Sequence, residues 1–240
     1  MAALNRFVFG HLGIQASQDL ADPGKLILSR VLATRQGYCV GLASLYLVLA
    51  ERAGLPLHAV ATPSHVFLRY DDGTTRINIE TLRGGVEVAD AQYVQEQQIS
   101  EKEIRSGIFL RNLTMDEFLA QVRNNLGVIY SKREMYVRAA AEYREARALL
   151  PDFPAAWYNE ANDLLLQGEA RRAVRYFSRA LRLHPLDPWA LNNRGRAWLE
   201  RGNPDKARRD FEEALRIEPG FEPARRNLVE ARRQQSGGGI

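Results

Sequence analysis

The sequence contains little cysteine and no long apolar run, and each scarcity excludes a class of protein. Cys39 is the only cysteine among 240 residues, so no internal disulfide can form and a reducing compartment is expected. The longest apolar stretch, Cys39 to Ala50, has 12 residues and is too short to span a bilayer. Residues 1–20 lack the basic, apolar and small-residue segments of a secretory signal. We therefore expect a cytoplasmic protein without membrane contact.

The charges are unevenly distributed along a composition that is otherwise typical of folded proteins, with 45% apolar and 26% charged residues. Residues 1–119 carry a net charge of −2 and residues 120–240 carry +6. The basic second half permits acidic partners, but its arginines follow no nucleic-acid-binding motif, so nucleic acid is not an expected ligand. We recognise no metal-ligand cluster, phosphate loop or dinucleotide fingerprint, and therefore expect neither metal nor cofactor.

The second half is built from a repeat of 34 residues. Asparagines recur at this spacing, at Asn125, Asn159, Asn193 and Asn227. Small, aromatic and proline positions recur in the same step, as at Ala139, Ala173 and Ala207, at Tyr143, Phe177 and Phe211, and at Pro151, Pro185 and Pro219. The pattern predicts helix pairs in units 120–153, 154–187 and 188–221. A capping helix is expected to end at residue 233, followed by a disordered tail over 234–240.

This pattern resembles the tetratricopeptide repeat, which implies an all-α solenoid that binds a protein or peptide in a groove. The groove residues implied are Asn124, Tyr158, Asn162, Trp189, Asn192 and Arg196. The family's clamp for C-terminal carboxylates needs basic residues, whereas this chain has Asn124, Val128, Trp189 and Asn193 at those positions. Binding of such acidic tails is therefore not expected. The alternative is that the repeats only support the first domain.

The first half mixes helices and strands around a candidate nucleophile. A helix is predicted from Cys39 to Ala53, and strands over 57–61, 65–70 and 75–80. Cys39 thus lies in the first turn of a buried helix, where free N–H groups and the helix dipole favour a thiolate and can stabilise an oxyanion. A small buried core residue is the alternative interpretation of this cysteine.

A hairpin brings a histidine to the same region. With Asp72 and Gly73 as the two turn residues, His65 lies directly opposite Glu80, and Asn78 lies diagonal to it. Glu80 is the better partner for the Nδ1 proton of His65, and Asn78 is the second choice. A three-residue turn would instead place Thr81 opposite His65, and His58 is a rival base. The other face, with Val66, Leu68, Tyr70, Ile77 and Ile79, is expected to face the core.

The motifs Arg35-Gln36-Gly37-Tyr38-Cys39, Pro63-Ser64-His65-Val66-Phe67 and Asn78-Ile79-Glu80-Thr81 resemble the transglutaminase-like cysteine protease superfamily. Together with the repeats, they are similar to bacterial proteins that join such a domain to tetratricopeptide repeats. The resemblance implies an α+β papain-like fold over residues 1–85, with Cys39 as nucleophile and His65 as base. Glu80 or Asn78 stands where the family usually has aspartate or asparagine, and Gln36 is an oxyanion candidate. Residues 86–119 are expected to form a helical connector with little site chemistry.

Two functions follow as hypotheses from different classes. The first is thiol-dependent acyl transfer or hydrolysis at an amide or ester carbonyl, with the repeats selecting a protein partner. The second is a non-catalytic interaction protein, in which the first domain is a vestigial scaffold and the repeats bind.

Overall fold

The computed structural model describes residues 1–17 and 22–237. The chain divides into two compact units, unit 1 over Met1–Lys132 and unit 2 over Arg133–Ile240. Unit 1 combines helices with sheets and unit 2 is helical, which confirms the predicted α+β domain followed by an all-α repeat array.

The elements of unit 1 alternate short helices with short strands. Its helices are α1 (Ala2–Asn5), α2 (Leu28–Thr34), α3 (Cys39–Arg52), α4 (Asp90–Gln97), α5 (Glu101–Arg105) and α6 (Met115–Lys132). Its strands are β1 (Gln15–Ala16), β2 (Gln36–Gly37), β3 (Leu57–Ala61), β4 (Val66–Asp71), β5 (Arg76–Glu80) and β6 (Val86–Glu87). A π-helical segment covers Arg6–His11, and 3-10 turns cover Pro23–Leu26 and Thr81–Arg83.

Helix α3 forms the centre of the unit 1 core. Its apolar residues are buried on nearly every side, as expected of a helix enclosed by other elements. Leu42 and Tyr46 share a core cluster with Leu68 and Ile79 of the sheet. Gly54 ends the helical stretch with a φ of 63°, a left-handed conformation that favours glycine.

The start of α3 lies against the 3-10 turn at Pro23–Leu26, and Gly41 makes this approach possible. A Cβ at position 41 would lie 2.1 Å from the carbonyl oxygen of Lys25. The same carbonyl accepts a 3.0 Å hydrogen bond from the backbone N–H of Tyr38, directly before α3. The turn therefore fixes the backbone that carries Cys39.

Strands β3, β4, β5 and β6 form an antiparallel sheet in that order, while β1 and β2 form a separate parallel pair. In the β4–β5 hairpin, Leu68 lies opposite Ile79 and Asp71 opposite Arg76, which leaves a four-residue loop over 72–75. The prediction of a two-residue turn, with His65 directly opposite Glu80, is therefore wrong, and the observed strand pairing is shifted by two residues. The reason lies in Asp72, whose Oδ1 accepts hydrogen bonds from the N–H groups of Thr74 (2.9 Å) and Thr75 (2.7 Å) and so stabilises a wider loop.

A shift of two residues leaves each side chain on its predicted face, because side chains alternate with a period of two. Val66, Leu68 and Ile79 are accordingly buried in the core with α3, as predicted. The other face is also covered: Phe67 forms a second buried cluster with Val60, Val88 and Tyr93. His65 and Glu80 therefore belong to a buried face of the sheet.

Unit 2 is a series of paired helices joined by short turns. They are α7 (Tyr136–Leu149), α8 (Pro154–Leu166), α9 (Ala170–Leu183), α10 (Pro188–Glu200), α11 (Pro204–Ile217) and α12 (Glu222–Gly237). The repeated alanines and aromatics are buried where the helices pack, at Ala139, Ala173, Ala207, Tyr143, Phe177 and Phe211. Gly168 and Gly202 adopt positive φ angles of 75° and 67° in the turns within the pairs.

The observed boundaries differ from the predicted ones in two places. Helix α6 belongs to unit 1, where Phe118, Leu126 and Ile129 enter the core, so the unit boundary divides the predicted first repeat 120–153. Helix α12 extends through Gly237, beyond the predicted end of the capping helix. Residues 238–240 of the predicted tail lie outside the described residues.

Replacing Gly41 by alanine tests the contact that holds the start of α3. The added methyl group would force the Lys25 carbonyl away and weaken its bond to Tyr38, so we expect a loss of about 1–3 kcal/mol in unfolding free energy. Urea denaturation measures this loss. Gly10→Ala is the matched control, because its Cβ meets no atom within 4 Å. Equal stability of both variants and the wild type would contradict the tight approach.

Candidate functional site

Cys39 begins α3 and is 2% exposed. It follows Tyr38, the half-buried residue that precedes the helix, and its side chain influences the ionisation of the Tyr38 hydroxyl. Burial first, and then the charge and hydrogen bond of Cys39, raise the pKa of Tyr38 to about 12. The Tyr38 hydroxyl therefore keeps its proton at neutral pH and can donate it to a hydrogen bond beside the sulfur.

His65 lies immediately before β4 and interacts with two side chains, because Cys39 and Glu80 both raise the pKa of its imidazole. The bond to Glu80 joins Nε2 to Oε2 over 2.7 Å. The prediction that Nδ1 would face the acid is therefore wrong, and Nδ1 is the ring nitrogen left for the thiol. Backbone and side-chain groups of Thr62 both bond to the His65 carbonyl, at 2.9 and 3.1 Å, which fixes the turn that carries the imidazole.

Glu80, at the end of β5, is 3% exposed and receives hydrogen bonds from three different elements. Oε2 accepts from His65 and from the Tyr93 hydroxyl (2.8 Å), and Oε1 accepts from the N–H of Leu82 (2.9 Å). Burial raises the pKa of Glu80, but these hydrogen bonds and the His65 charge outweigh it, so its pKa lies below the usual value. The carboxylate is thus charged at neutral pH.

The two partners of His65 favour its protonated form. Burial lowers the pKa of His65, but the hydrogen bonds and negative charges of Cys39 and Glu80 raise it further, to about 9. At neutral pH the imidazole of His65 is therefore protonated and hydrogen-bonded to the charged carboxylate of Glu80. An imidazolium near a cysteine favours the thiolate, which is the reactive form of a thiol nucleophile.

Asn78, the second choice for orienting His65, is engaged elsewhere. Its amide oxygen accepts from Nε of Arg69 (2.7 Å), and its amide nitrogen donates to Val88 O (2.9 Å) and Asp90 Oδ1 (2.7 Å). Arg69, 1% exposed, also donates to Asp90 Oδ1 and to the carbonyl of Leu110. This cluster connects the sheet to the start of α4 and leaves Glu80 as the partner of the imidazole.

Tyr93 is the residue of this site that the sequence interpretation missed. It lies in α4, within the segment expected to carry little site chemistry, and that expectation is wrong because its hydroxyl binds Glu80. The available signal was the stripe of Asp90, Tyr93 and Gln97 on one face of a predicted helix. The sequence did not show which strand residues this stripe would meet.

The remaining predicted site residues of unit 1 lie at other places. Gln36 is exposed in β2, three residues before the nucleophile position, and stays an oxyanion candidate. His58, the rival base, pairs with Arg69 across β3 and β4. Asn124 is buried in α6.

The predicted groove residues of unit 2 separate into buried and exposed groups. Asn193 donates to Tyr158 and Asn162, Asn192 donates to Asn193, and Asn227 donates to Asn192, at distances from 2.8 to 3.2 Å. These amides satisfy one another inside the array. Trp189, 51% exposed, and Arg196 are the predicted groove residues that remain open to solvent.

These observations define a class of protein, in which an α+β unit with a buried cysteine and a hydrogen-bonded histidine–glutamate pair is followed by helical repeats. Comparison with known families agrees: the transglutaminase-like superfamily matches residues 1–140 and the tetratricopeptide repeat matches residues 158–220. The first match covers more than half of the chain, so the protein belongs to the transglutaminase-like superfamily.

Individual proteins are similar over parts of the chain. Two proteins of Xylella fastidiosa, from strains Temecula1 and 9a5c, are both named UPF0162 protein and are 29% identical over 195 residues, covering 77% of this chain and 68% of theirs. The first repeat domain of Spaghetti (RPAP3) bound to the HSP90 peptide SRMEEVD is 22% identical, with a TM-score of 0.49, covering 50% of this chain and 95% of that domain. The second repeat domain of human RPAP3, in complex with the HSP70 peptide SGPTIEEVD, is 25% identical, with a TM-score of 0.45, covering 49% and 96%.

Within residues 1–17 and 22–237, no group of three or more histidine, cysteine, aspartate or glutamate side chains is placed to hold a metal ion. In the same part of the chain, no helix has the length and apolar character needed to cross a membrane.

The raised pKa of His65 predicts a pH dependence of stability. Because its folded pKa of about 9 exceeds the unfolded value of 6.5, the stabilisation is complete below pH 6.5 and is lost as the pH rises through 9. Urea denaturation of the wild type and of His65→Gln should give a stability difference that decreases over this window by on the order of 3 kcal/mol. A difference that stays constant from pH 6 to pH 10 would contradict the charged pair.

Proposed function

We propose that unit 1 catalyses thiol-dependent acyl transfer or hydrolysis at an amide or ester carbonyl. The observation that carries this proposal is the hydrogen bond of His65 to the buried Glu80, together with the effect of Cys39, which raises the pKa of the same imidazole. A nucleophile, a base and a group that orients the base are the three roles that this chemistry needs.

In the first half of the reaction, the Cys39 thiolate attacks the carbonyl carbon and a C–S bond forms, with the electron pair of the C=O bond moving to oxygen. The first N–H groups of α3 have no acceptor within the helix and can donate to this oxyanion. The protonated Tyr38 hydroxyl beside the sulfur is a further donor. The bond to the leaving amine or alcohol then breaks as the His65 imidazolium supplies its proton.

In the second half, the neutral imidazole of His65 takes a proton from a water molecule or an amine that attacks the thioester. The C–S bond breaks and Cys39 leaves as thiolate, so the ion pair with the imidazolium is restored. Water gives hydrolysis and an amine gives transfer, and both use the same residues. Glu80 keeps the imidazole in place and stabilises its positive charge throughout.

Removing the base tests this function directly. We expect His65→Ala to slow alkylation of Cys39 by iodoacetamide at pH 7 by about tenfold or more, because the thiolate loses its imidazolium partner. The same variant should fail to form the acetyl-Cys39 intermediate that intact-mass spectrometry detects when the wild type is mixed with p-nitrophenyl acetate.

His58→Ala is the matched control, since His58 is a half-buried histidine of the same sheet, paired with Arg69. In this variant, Cys39 should be alkylated and acetylated at the rate of the wild type. If wild type and His65→Ala react equally, and no faster than the denatured chain, the site is not activated. The non-catalytic alternative, a scaffold with binding repeats, would then stand.

We further propose that unit 2 binds a protein or peptide partner through Trp189 and Arg196. Two repeat domains of RPAP3 have an HSP90 peptide and an HSP70 peptide bound, and this chain also contains a tetratricopeptide repeat. The exposed indole offers apolar area and the guanidinium a charge, whereas the asparagines behind them are bonded to each other. The basic clamp for acidic C-terminal tails has no counterpart at Asn124, Val128, Trp189 and Asn193.

Peptides selected from a random phage-displayed library on the full chain test this binding. Trp189→Ala should weaken binding of the selected peptides by about tenfold or more, because it removes the exposed aromatic side chain among the predicted groove residues. Val137→Ala, which removes an 88% exposed apolar side chain of α7, is the control and should bind as the wild type does. Equal binding by both variants would place the partner elsewhere.

A further inference from the structure

We propose that Tyr93 is a positioning residue that holds the Glu80 carboxylate against His65. This inference rests on the proposed thiol chemistry of Cys39 and adds a fourth side chain to it. Tyr93 does not touch the sulfur or the carbonyl to be attacked. It acts on the reaction through Glu80.

The position of the Tyr93 hydroxyl is closely determined. It donates to Glu80 Oε2 over 2.8 Å, the same oxygen that bonds to His65 Nε2 over 2.7 Å. The tyrosine is 2% exposed, and its ring stacks on Phe67 with centroids 4.2 Å apart and planes 4° from parallel. The ring of His65 lies on it at 6.4 Å and 29°. The phenol thus donates a hydrogen bond to the acid, and its ring lies near the ring of the base.

Helix α4 is itself fixed at both ends to the sheet and to the turn that carries His65. At its start, Asp90 accepts from Arg69 (2.5 Å) and from Asn78 (2.7 Å). At its end, the side-chain oxygen of Gln97 accepts from the N–H (3.2 Å) and hydroxyl (3.1 Å) of Ser64, the neighbour of His65. Tyr93 lies between these anchors on the same helix face, so its distance to Glu80 is set by contacts independent of the catalytic groups.

The charged groups around Glu80 determine what the loss of this hydroxyl would do. His65 and the N–H of Leu82 favour the carboxylate, as Tyr93 does. The charge of Arg83 lowers the pKa of Tyr93 and the charge of Glu96 raises it. Without the Tyr93 bond, Oε2 keeps His65 as its only donor in the site and Oε1 keeps Leu82. A buried carboxylate with fewer donors takes up a proton at higher pH and is free to rotate.

The decisive experiment is the pH profile of Cys39 alkylation by iodoacetamide in the full-length chain, for wild type and Tyr93→Phe. Phenylalanine keeps the stacking on Phe67 and removes only the hydroxyl. We expect the acidic limb of the profile to move to higher pH and the rate at pH 6 to fall by about three- to tenfold, the value of one hydrogen bond. Tyr70→Phe, which removes a hydroxyl bonded to Asp72 in the hairpin loop, should leave the profile unchanged.

A second variant keeps the test decisive if Tyr93→Phe does not fold. Genetically encoded 3-fluorotyrosine at position 93 retains the hydroxyl and makes it a stronger donor, so the acidic limb should move to lower pH. If both variants give the wild-type profile while His65→Ala slows alkylation, Tyr93 has no positioning role and the proposed thiol chemistry stands. If His65→Ala also alkylates like the wild type, both proposals are wrong.

Discussion

The buried charge of Glu80 is the constraint on which the site depends. An ionised carboxylate that is 3% exposed is stable only when hydrogen-bond donors replace the lost water. Three donors do so, and they come from the turn before β4, the 3-10 turn after β5 and helix α4: His65, Leu82 and Tyr93. Because each donor belongs to a different element, satisfying one charge brings these elements together. The imidazole that binds Glu80 is thereby held where its other nitrogen is available to Cys39.

The sequence predicted that His65 and Glu80 come together, even though the predicted register of the hairpin was wrong by two residues. Any pairing of β4 with β5 that is shifted by two residues keeps His65 and Glu80 on one face, since side chains alternate along a strand. The Asp72 side chain widened the loop to four residues, which made the two residues diagonal instead of directly opposite. The same alternation placed Asn78 on this face, where Arg69 and Asp90 engage its amide. The alternation of side chains therefore predicts on which face of the sheet a residue lies. It does not predict which residue of that face becomes its hydrogen-bond partner.

The contribution of α4 could not be predicted because it arises from contacts between distant parts of the chain. The sequence assigned only the face with Val66 and Leu68 to the core, yet Phe67 on the other face is fully buried beneath Tyr93. A helix covering this face also explains Arg69, a buried cation in the middle of a strand, which pairs with Asp90 at the start of α4. Covering the face removes water from Glu80 and makes its hydrogen bonds stronger. The helix predicted as a connector therefore forms one wall of the site.

In the repeats, by contrast, part of the 34-residue sequence period corresponds to hydrogen bonds between buried asparagine side chains. Asn193 and Asn227 are 34 residues apart, and Asn192 connects them by accepting from Asn227 and donating to Asn193, which in turn donates to Asn162. A buried amide needs partners, and stacking identical units supplies them at a constant spacing. The period was therefore visible without any knowledge of the structure. These amides are hydrogen-bonded to one another, so we expect a partner to be bound by the exposed side chains instead. Among the predicted groove residues, Trp189 offers the largest exposed apolar area.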